Sequence, residues 1–378
     1  MRVHYSYGAG FASSVPCLFL YPQLALWARR RPPASLAMSQ KAHGQSTSVV
    51  FLNLPIVMRL PDALQSAIQK EVERIDRARL AQAAAQLTER YQAGQFSSPV
   101  IHTEAQRAAY LAVRVPAIFS ANLHVFSEIR RLAPDVNISG VLDLGSGPGT
   151  ALHAAAQVFP SIQHATLVES DAALINVSKR LGTAVPDVRW LQQDIRSGVP
   201  AELHDLVVIS YTLGELSQAG AEKLVMQAWA AARQFLVVIE PGTVRGFGFI
   251  HAARALLIGA GAHLLAPCPH PLQCPMAAAG DWCHFAQRVE RTSLHRQLKD
   301  GALGYEDEKF SYVVGSREEF PTPGARIVRH PQKLSGHVKL LLCTAHGLER
   351  RTITKSQKER YREARRVEWG DGWNEPPA

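Results

Sequence analysis

The segment Val141-Leu142-Asp143-Leu144-Gly145-Ser146-Gly147-Pro148-Gly149-Thr150 constrains this chain more than any other. A β-rich run at 140–144 leads directly into three glycines, and a helix-length stretch starts near Ala151. Only glycine lets a backbone turn this tightly while a ligand rests against it. The following residues keep the same rhythm: β-rich runs at 166–169, 188–191, 206–210 and 235–240 are separated by amphipathic stretches of helical length. Such alternation predicts an α/β fold with a parallel, doubly wound, Rossmann-like sheet.

The loop departs from the dinucleotide fingerprint G-x-G-x-x-G, because its third glycine comes one residue early and Thr150 takes the sixth position. That disfavours NAD. The spacing D-x-G-x-G-x-G instead resembles the first motif of class I S-adenosylmethionine (SAM) methyltransferases, which implies SAM as a ligand. Glu169 ends the second β-rich run, where a carboxylate can accept hydrogen bonds from both ribose hydroxyls. Asp194 follows the third, where the family places a side chain beside the adenine. Asp143 would orient the methionine end, with Gly145, Gly147 and Gly149 forming the cradle.

The acceptor is less legible. The segment 209–216 after the fourth run lacks the N/D-P-P-Y/F box of amine methylation. Cytosine-C5 methylation needs a thiolate, usually in a Pro-Cys pair after the fourth run, but Pro267-Cys268 follows the fifth. Tyr211 and Glu215 are expected at the pocket mouth, as acceptor contacts or as loop packing and capping groups. Methyl transfer from a sulfonium can proceed by alignment and desolvation without a base, so activity stays open.

Of five cysteines, Cys17 lies near the start and receives no role, while Cys268, Cys274, Cys283 and Cys343 fall in the last third. This is too few for a disulfide scaffold at 378 residues. A C-x5-C-x8-C run stiffened by prolines, plus one remote thiol, can make a tetrahedral sulfur site for zinc or an iron–sulfur cluster. Structural zinc usually uses tighter knuckles, so the wide gaps fit a larger cluster better. Four ordinary buried thiols are the plain alternative. His270 and His284 are substitute ligands, and the C-x3-C-x2-C run of radical-SAM enzymes is absent.

Before Asp62 the chain has no acidic residue but carries Arg2, Arg29, Arg30, Arg31, Lys41 and Arg59. Residues 1–50 thus read as a leader outside the fold: either a transit-type segment or the product of a start placed upstream of Met38. Helical periodicity runs through 62–87 and 104–132, giving an N-terminal helical cap at 51–135. A SAM-binding domain is expected at 136–348, with a Cys-rich, cluster-binding insertion at 241–300. A basic tail follows at 349–378, in which 349–366 holds eight basic and three acidic residues. Hydrophobic residues at 47% and charged residues at 19% suffice for a core and exclude a disordered chain. A net charge of +9 favours a polyanionic partner. No run of about 18 apolar residues occurs, which excludes an integral membrane helix.

Taken together, 143–150, 210–216, Glu240-Pro241-Gly242-Thr243, Arg114-Val115-Pro116-Ala117 and the four cysteines resemble the small-ribosomal-subunit methyltransferase-like family, over roughly 60–350. That family comprises a mitochondrial small-subunit assembly factor and its bacterial relatives. The resemblance implies a 4Fe–4S cluster on Cys268, Cys274, Cys283 and Cys343 beside a SAM site containing Gly145, Gly147, Gly149 and Glu169. It also implies small-subunit rRNA as partner, in the mitochondrial matrix of a eukaryote or the cytoplasm of a bacterium. An assembly checkpoint without methyl transfer is the alternative.

Overall fold

A computed structural model describes residues 58–92, 101–291 and 304–374. The expected leader, with Cys17 and Met38, lies outside them, as does 292–300 of the expected insertion.

Four helices open the described chain: α1 (Asp62–Val72), α2 (Arg77–Gln92), α3 (Glu104–Val113) and α4 (Val115–Leu132). Each of the two helical stretches expected from sequence is thus divided. α3 begins at a capping box between Thr103 and Gln106. The α3–α4 break falls at Arg114, next to Pro116, which lacks the N–H a continuous helix needs. Among the described residues no single helix is long and apolar enough to cross a membrane; α3 and α4 qualify only jointly, bent by 44°. Both are largely buried in the core.

The main sheet uses β1 (Gly140–Leu144), β2 (His164–Glu169), β3 (Asp187–Gln192), β4 (His204–Ser210), β5 (Ala232–Pro241), β6 (His263–Ala266), β7 (Phe285–Glu290) and β8 (Tyr305–Ser316). Their order is β3-β2-β1-β4-β5-β8-β6, parallel from β3 to β5 and antiparallel at β8. This is the class I methyltransferase strand order, with β8 as the reversed strand. The long β8 also pairs β7. β1 is buried throughout, as a strand covered on both faces must be. α5 (Thr150–Val158) packs with α4 into the core on one face. α7 (Gln218–Ala231) and α8 (Val244–Gly259) cover the other. α6 (Ala172–Leu181) is tied to α1 by a bidentate Arg180–Glu71 pair at 2.7 and 2.9 Å.

After a short α9 (Pro275–Ala278), a second sheet forms from β9 (Ala325–Ile327), β10 (Gln332–Lys333), β11 (His337–Thr344), β12 (Gly347–Thr354) and β13 (Gly372–Trp373). The basic segment expected as a tail from 349 is built into this sheet. β12 pairs with β11 along its whole length, and α10 (Lys358–Ala364) and β13 follow it. The cause is apolar: Ile353, Ala364, Val367 and Trp373 are buried with Ile327 and Leu340, while most arginines between them are exposed and Arg360 stacks on the Trp373 ring at 4.0 Å.

Candidate functional site

The carboxyl ends of the parallel strands surround a cleft of about 290 Å3, the place where open α/β sheets bind ligands. Gly145, Gly147 and Gly149 take positive φ angles of 73°, 53° and 82°, which is how the loop turns from β1 into α5. The N–H groups of Gly145 and Ser146 donate to Val168 O, and that of Gly147 donates to Glu169 Oε2 at 2.9 Å. Glu169 Oε1 in turn accepts from Asp171 N–H. The second-strand acid therefore clamps two neighbouring loops.

Of the six residues expected in the donor site, Asp143, Gly145, Gly147, Glu169 and Asp194 line this cleft. Gly149 does not; it caps α5, where a Cβ would meet Ser178 Oγ at 2.9 Å. Asp194 caps a 3-10 turn and pairs with Arg196 at 2.6 Å, which lowers its pKa. Asp143 is fully buried, and burial, reinforced by Glu169, raises its pKa to about 7. Its Oδ2, Ser146 Oγ and Thr150 Oγ1 are buried without a hydrogen-bond partner, and all three residues line the cleft. Unpartnered buried oxygens on one glycine loop are what a bound ligand would satisfy.

Tyr211 and Glu215 also line the cleft. Tyr211 is held at φ 57°, and its hydroxyl donates to Glu308 Oε1 at 2.8 Å, a carboxylate shared with Arg114. Burial, reinforced by Glu169, raises the Glu215 pKa to about 7. Glu240, which the sequence offered only as part of the Glu240-Pro241-Gly242-Thr243 motif, is buried beneath this segment, accepts the N–H groups of Thr212 and Leu213, and its pKa rises to about 8 through burial. The cleft is thus rich in carboxylates within a chain of net charge +9, an arrangement suited to a cationic ligand.

A second cavity lies on the other side of α8. Cys268, Cys274, Cys283 and Cys343 all line it, the first three from the loops around α9 and the fourth from β11. Trp282 Nε1 donates to Gly242 O, and Ser311 Oγ donates to Cys283 O, fixing the Cys-rich segment against β5 and β8. Burial raises the Cys283 pKa well above its usual value and that of Cys343 to about 12, and each is raised further by the other nearby sulfurs. His270 lines the same cavity, with Nε2 at 3.8 Å from Cys343 Sγ. His284 is stacked on Trp282 and lies outside it. Among the described residues no three His, Cys, Asp or Glu side chains converge closely enough to hold a metal ion. Sequence reasoning missed Arg254, a buried cation that shares its face of α8 with Phe247, Ile250 and His251 and donates to Cys268 Sγ at 3.3 Å.

The family model described as mitochondrial small ribosomal subunit Rsm22 matches residues 104–374. The chain belongs to the Rsm22 family. The Rsm22 match runs from α3 to β13 and takes in both cavities and the second sheet. The human mitochondrial ribosome assembly protein METTL17 is 28% identical over 298 residues, 71% of this chain and 63% of that protein. A fission-yeast mitochondrial Rsm22-cox11 tandem protein is 27% identical over 334 residues, 71% of this chain and 43% of that protein. The chain thus spans less than two thirds of these relatives' length. Among solved structures, magnesium protoporphyrin IX methyltransferase from Synechocystis has a TM-score of 0.36 at 9% identity, covering 61% of this chain and 94% of that one. A SAM-dependent methyltransferase from Leishmania major has a TM-score of 0.34 at 15% identity, covering 54% and 79%. The fold assignment rests on strand order rather than on these two.

Proposed function

We propose that this chain is a methyltransferase-like assembly factor of the small ribosomal subunit. In this reading it binds SAM in the glycine-loop cleft, carries a 4Fe–4S cluster on Cys268, Cys274, Cys283 and Cys343, and acts on the subunit through its rRNA. The observation that carries the reading is a carboxylate-lined cleft with three unpartnered oxygens, in methyltransferase strand order, within an Rsm22-family chain. The ribosomal partner is supported by the name of the human relative, a mitochondrial ribosome assembly protein. The mitochondrial relatives support a matrix location for a eukaryotic member, with the cytoplasm proposed for a bacterial one. We also propose the divisions 51–135 and 136–348, with the insertion 241–300, as functional regions, preceded by the leader 1–50; the segment from 349 belongs with the second sheet through the β11–β12 pair.

In the cleft, Gly145 and Gly147 would leave room for the methionine portion and Asp143 would accept from its ammonium. Glu169 would take the ribose hydroxyls, and Asp194 would lie beside the adenine. Gly149 would shape the loop from behind. At the second cavity, four thiols without a carboxylate suit a soft metal centre. A cluster accepts ligands spread more widely than a single ion does, which favours iron–sulfur over zinc for sulfurs that share a cavity without closing on one point. When bound, the cluster would stabilise the junction between the two sheets.

A second reading, an assembly factor that binds both ligands without turnover, is favoured by Tyr211. Its hydroxyl is committed to Glu308 Oε1, so it is not free to contact an acceptor. Mapping methyl groups on small-subunit rRNA from a deletion strain separates the two. A mark that returns only with an intact glycine loop establishes transfer, and an unchanged methylation pattern establishes the second reading. Crosslinking that enriches bulk RNA as well as rRNA would remove the ribosomal partner.

Anaerobically prepared protein is expected to contain iron and acid-labile sulfide in equal amounts, and Cys283→Ser is expected to lose most of both. A colourless, zinc-loaded protein would establish the zinc alternative.

The raised carboxyls give a pH signature. A bound sulfonium favours the ionised forms of Asp143 and Glu215, so SAM binding should release protons below about 7 and tighten as pH rises toward that value, levelling off above it. S-adenosylhomocysteine, which lacks the charge, should respond less. Calorimetry in buffers of different ionisation heat checks this, and identical pH profiles for the two ligands would refute it.

A further inference from the structure

Two buried guanidinium groups flank the cysteine cavity, and only one has an anion. Arg326 is matched by Glu128 at 2.9 Å. Arg254 lines the same cavity and is only 7% exposed, yet no carboxylate pairs with it among the described residues. Its Nη2 donates to the carbonyl oxygens of His270 at 2.9 Å and Leu272 at 2.6 Å, and its Nε donates to Cys268 Sγ at 3.3 Å. Carbonyl groups satisfy the N–H donors but do not cancel the charge. A buried cation without a counter-ion is costly, and the usual compensation is an opposite charge within a few ångströms. The cavity is otherwise apolar apart from the thiols, His251, His270, Ser311, Tyr312 and Arg326, none of the last five an anion. Only ionised sulfur, or a centre bound to it, can supply that charge there.

We propose that Arg254 is the resident counter-charge of an anionic, thiolate-held centre. It would act as a positioning residue that clasps the loop 268–272 by its carbonyls and stabilises Cys268 as a thiolate ligand. The proposal rests on reading the four cysteines as one inorganic site, and it adds the residue that fixes the charge balance there. A hydrogen bond and a positive charge directed at a ligand sulfur favour the more negative, reduced state of a cluster and so raise its reduction potential. The same contact slows loss of the centre, because outer partners of metal ligands commonly contribute tenfold or more to retention.

The test uses the full chain purified anaerobically as wild type, Arg254→Met and Arg254→Lys, with metal content, midpoint potential and the rate of metal loss to a chelator as readouts. Arg254→Met is expected to lower the midpoint potential and to speed metal loss about tenfold or more. The rise in melting temperature that the centre gives over metal-free protein is expected to shrink as well. Arg254→Lys, which keeps the charge but cannot span the sulfur and both carbonyls, should fall between, and it carries the test if the Met variant does not fold. A wild type that holds no metal overturns the reading of the site and the proposal with it. If wild type holds metal, variants that match its potential and chelator rate overturn the role of Arg254 alone, including where they lower the stability of metal-free protein as loss of a loop strut would. Zinc in place of iron leaves the chelator and melting comparisons in force.

Discussion

Replacing Arg326 with Met is expected to lower the unfolding free energy by about 3–5 kcal/mol, the range for breaking one side of a buried ion pair. Its side chain is 1% exposed and joins three parts of the molecule besides its own strand, β9. Nε donates to Pro267 O at 2.8 Å, beside Cys268; Nη1 donates to Gly370 O at 2.8 Å and to Glu128 Oε2 on α4 at 2.9 Å. Methionine fills part of the volume and satisfies none of these acceptors. The pH dependence carries the signature of the ion pair. Burial raises the Glu128 pKa, but the hydrogen bond from Arg131 and the charges of Arg326 and Arg131 outweigh this and lower it to about 2. A folded-state pKa below the ordinary 4.5 contributes stability that is complete above that value and is lost as pH falls through about 2. The gap between wild type and variant should therefore be widest near neutrality and narrow in acid. Urea melts at several pH values measure it, and a gap independent of pH would assign the effect to packing alone.

The second large effect is expected at Gly145. An alanine there must adopt φ 73°, and its Cβ would stand 2.6 Å from both Cγ2 and Oγ1 of Thr212. That threonine cannot readily yield, because its hydroxyl is bonded to Ser210 O and its N–H to buried Glu240. Left-handed strain of about 1–2 kcal/mol and overpacking of about 1–3 kcal/mol then fall on the same loop. If half of that sum appears as lost donor affinity, SAM binding weakens by about 5- to 70-fold. Gly147→Ala is the control. It shares the positive φ, yet its Cβ meets no atom within 4 Å, so it should melt closer to wild type. Equal melting temperatures for the two variants would show that the contact with Thr212 relaxes freely.

The legibility of the fold followed its hydrophobicity. β1, β4 and β5 are largely buried on both faces, so they read as mainly apolar runs, clearest at Leu206–Ile209 and Phe235–Ile239, and the glycine loop announced its own turn. Of the second sheet only β11 reads as a β-like run, at 337–343, because the other strands are short or charged: β10 is Gln332–Lys333, and β12 carries Glu349, Arg350 and Arg351. The pairing of this sheet is set by β11, and the few apolar anchors of the basic segment were outvoted by charge. Five of the six residues expected at a donor site line one cleft, since strand ends in a parallel sheet converge. Gly149 instead serves the helix start, a distinction invisible in a spacing pattern. Cys343 lines the same cavity as the three thiols of the 268–283 segment, a grouping that spacing and the family resemblance offered beside the alternative of four ordinary buried thiols. Arg254 was not legible, because an arginine on a helix ordinarily signifies solvent, and only the burial of α8 on both sides gives it a different meaning.

That helix has a thermodynamic consequence. Arg245, Gly246 and Phe249 of α8 line the glycine-loop cleft, and Phe247, Ile250, His251 and Arg254 line the cysteine cavity. A single rigid rod cannot move for one tenant without moving for the other. Any factor by which an occupant of the cleft alters affinity in the cavity must therefore be returned undiminished in the opposite direction.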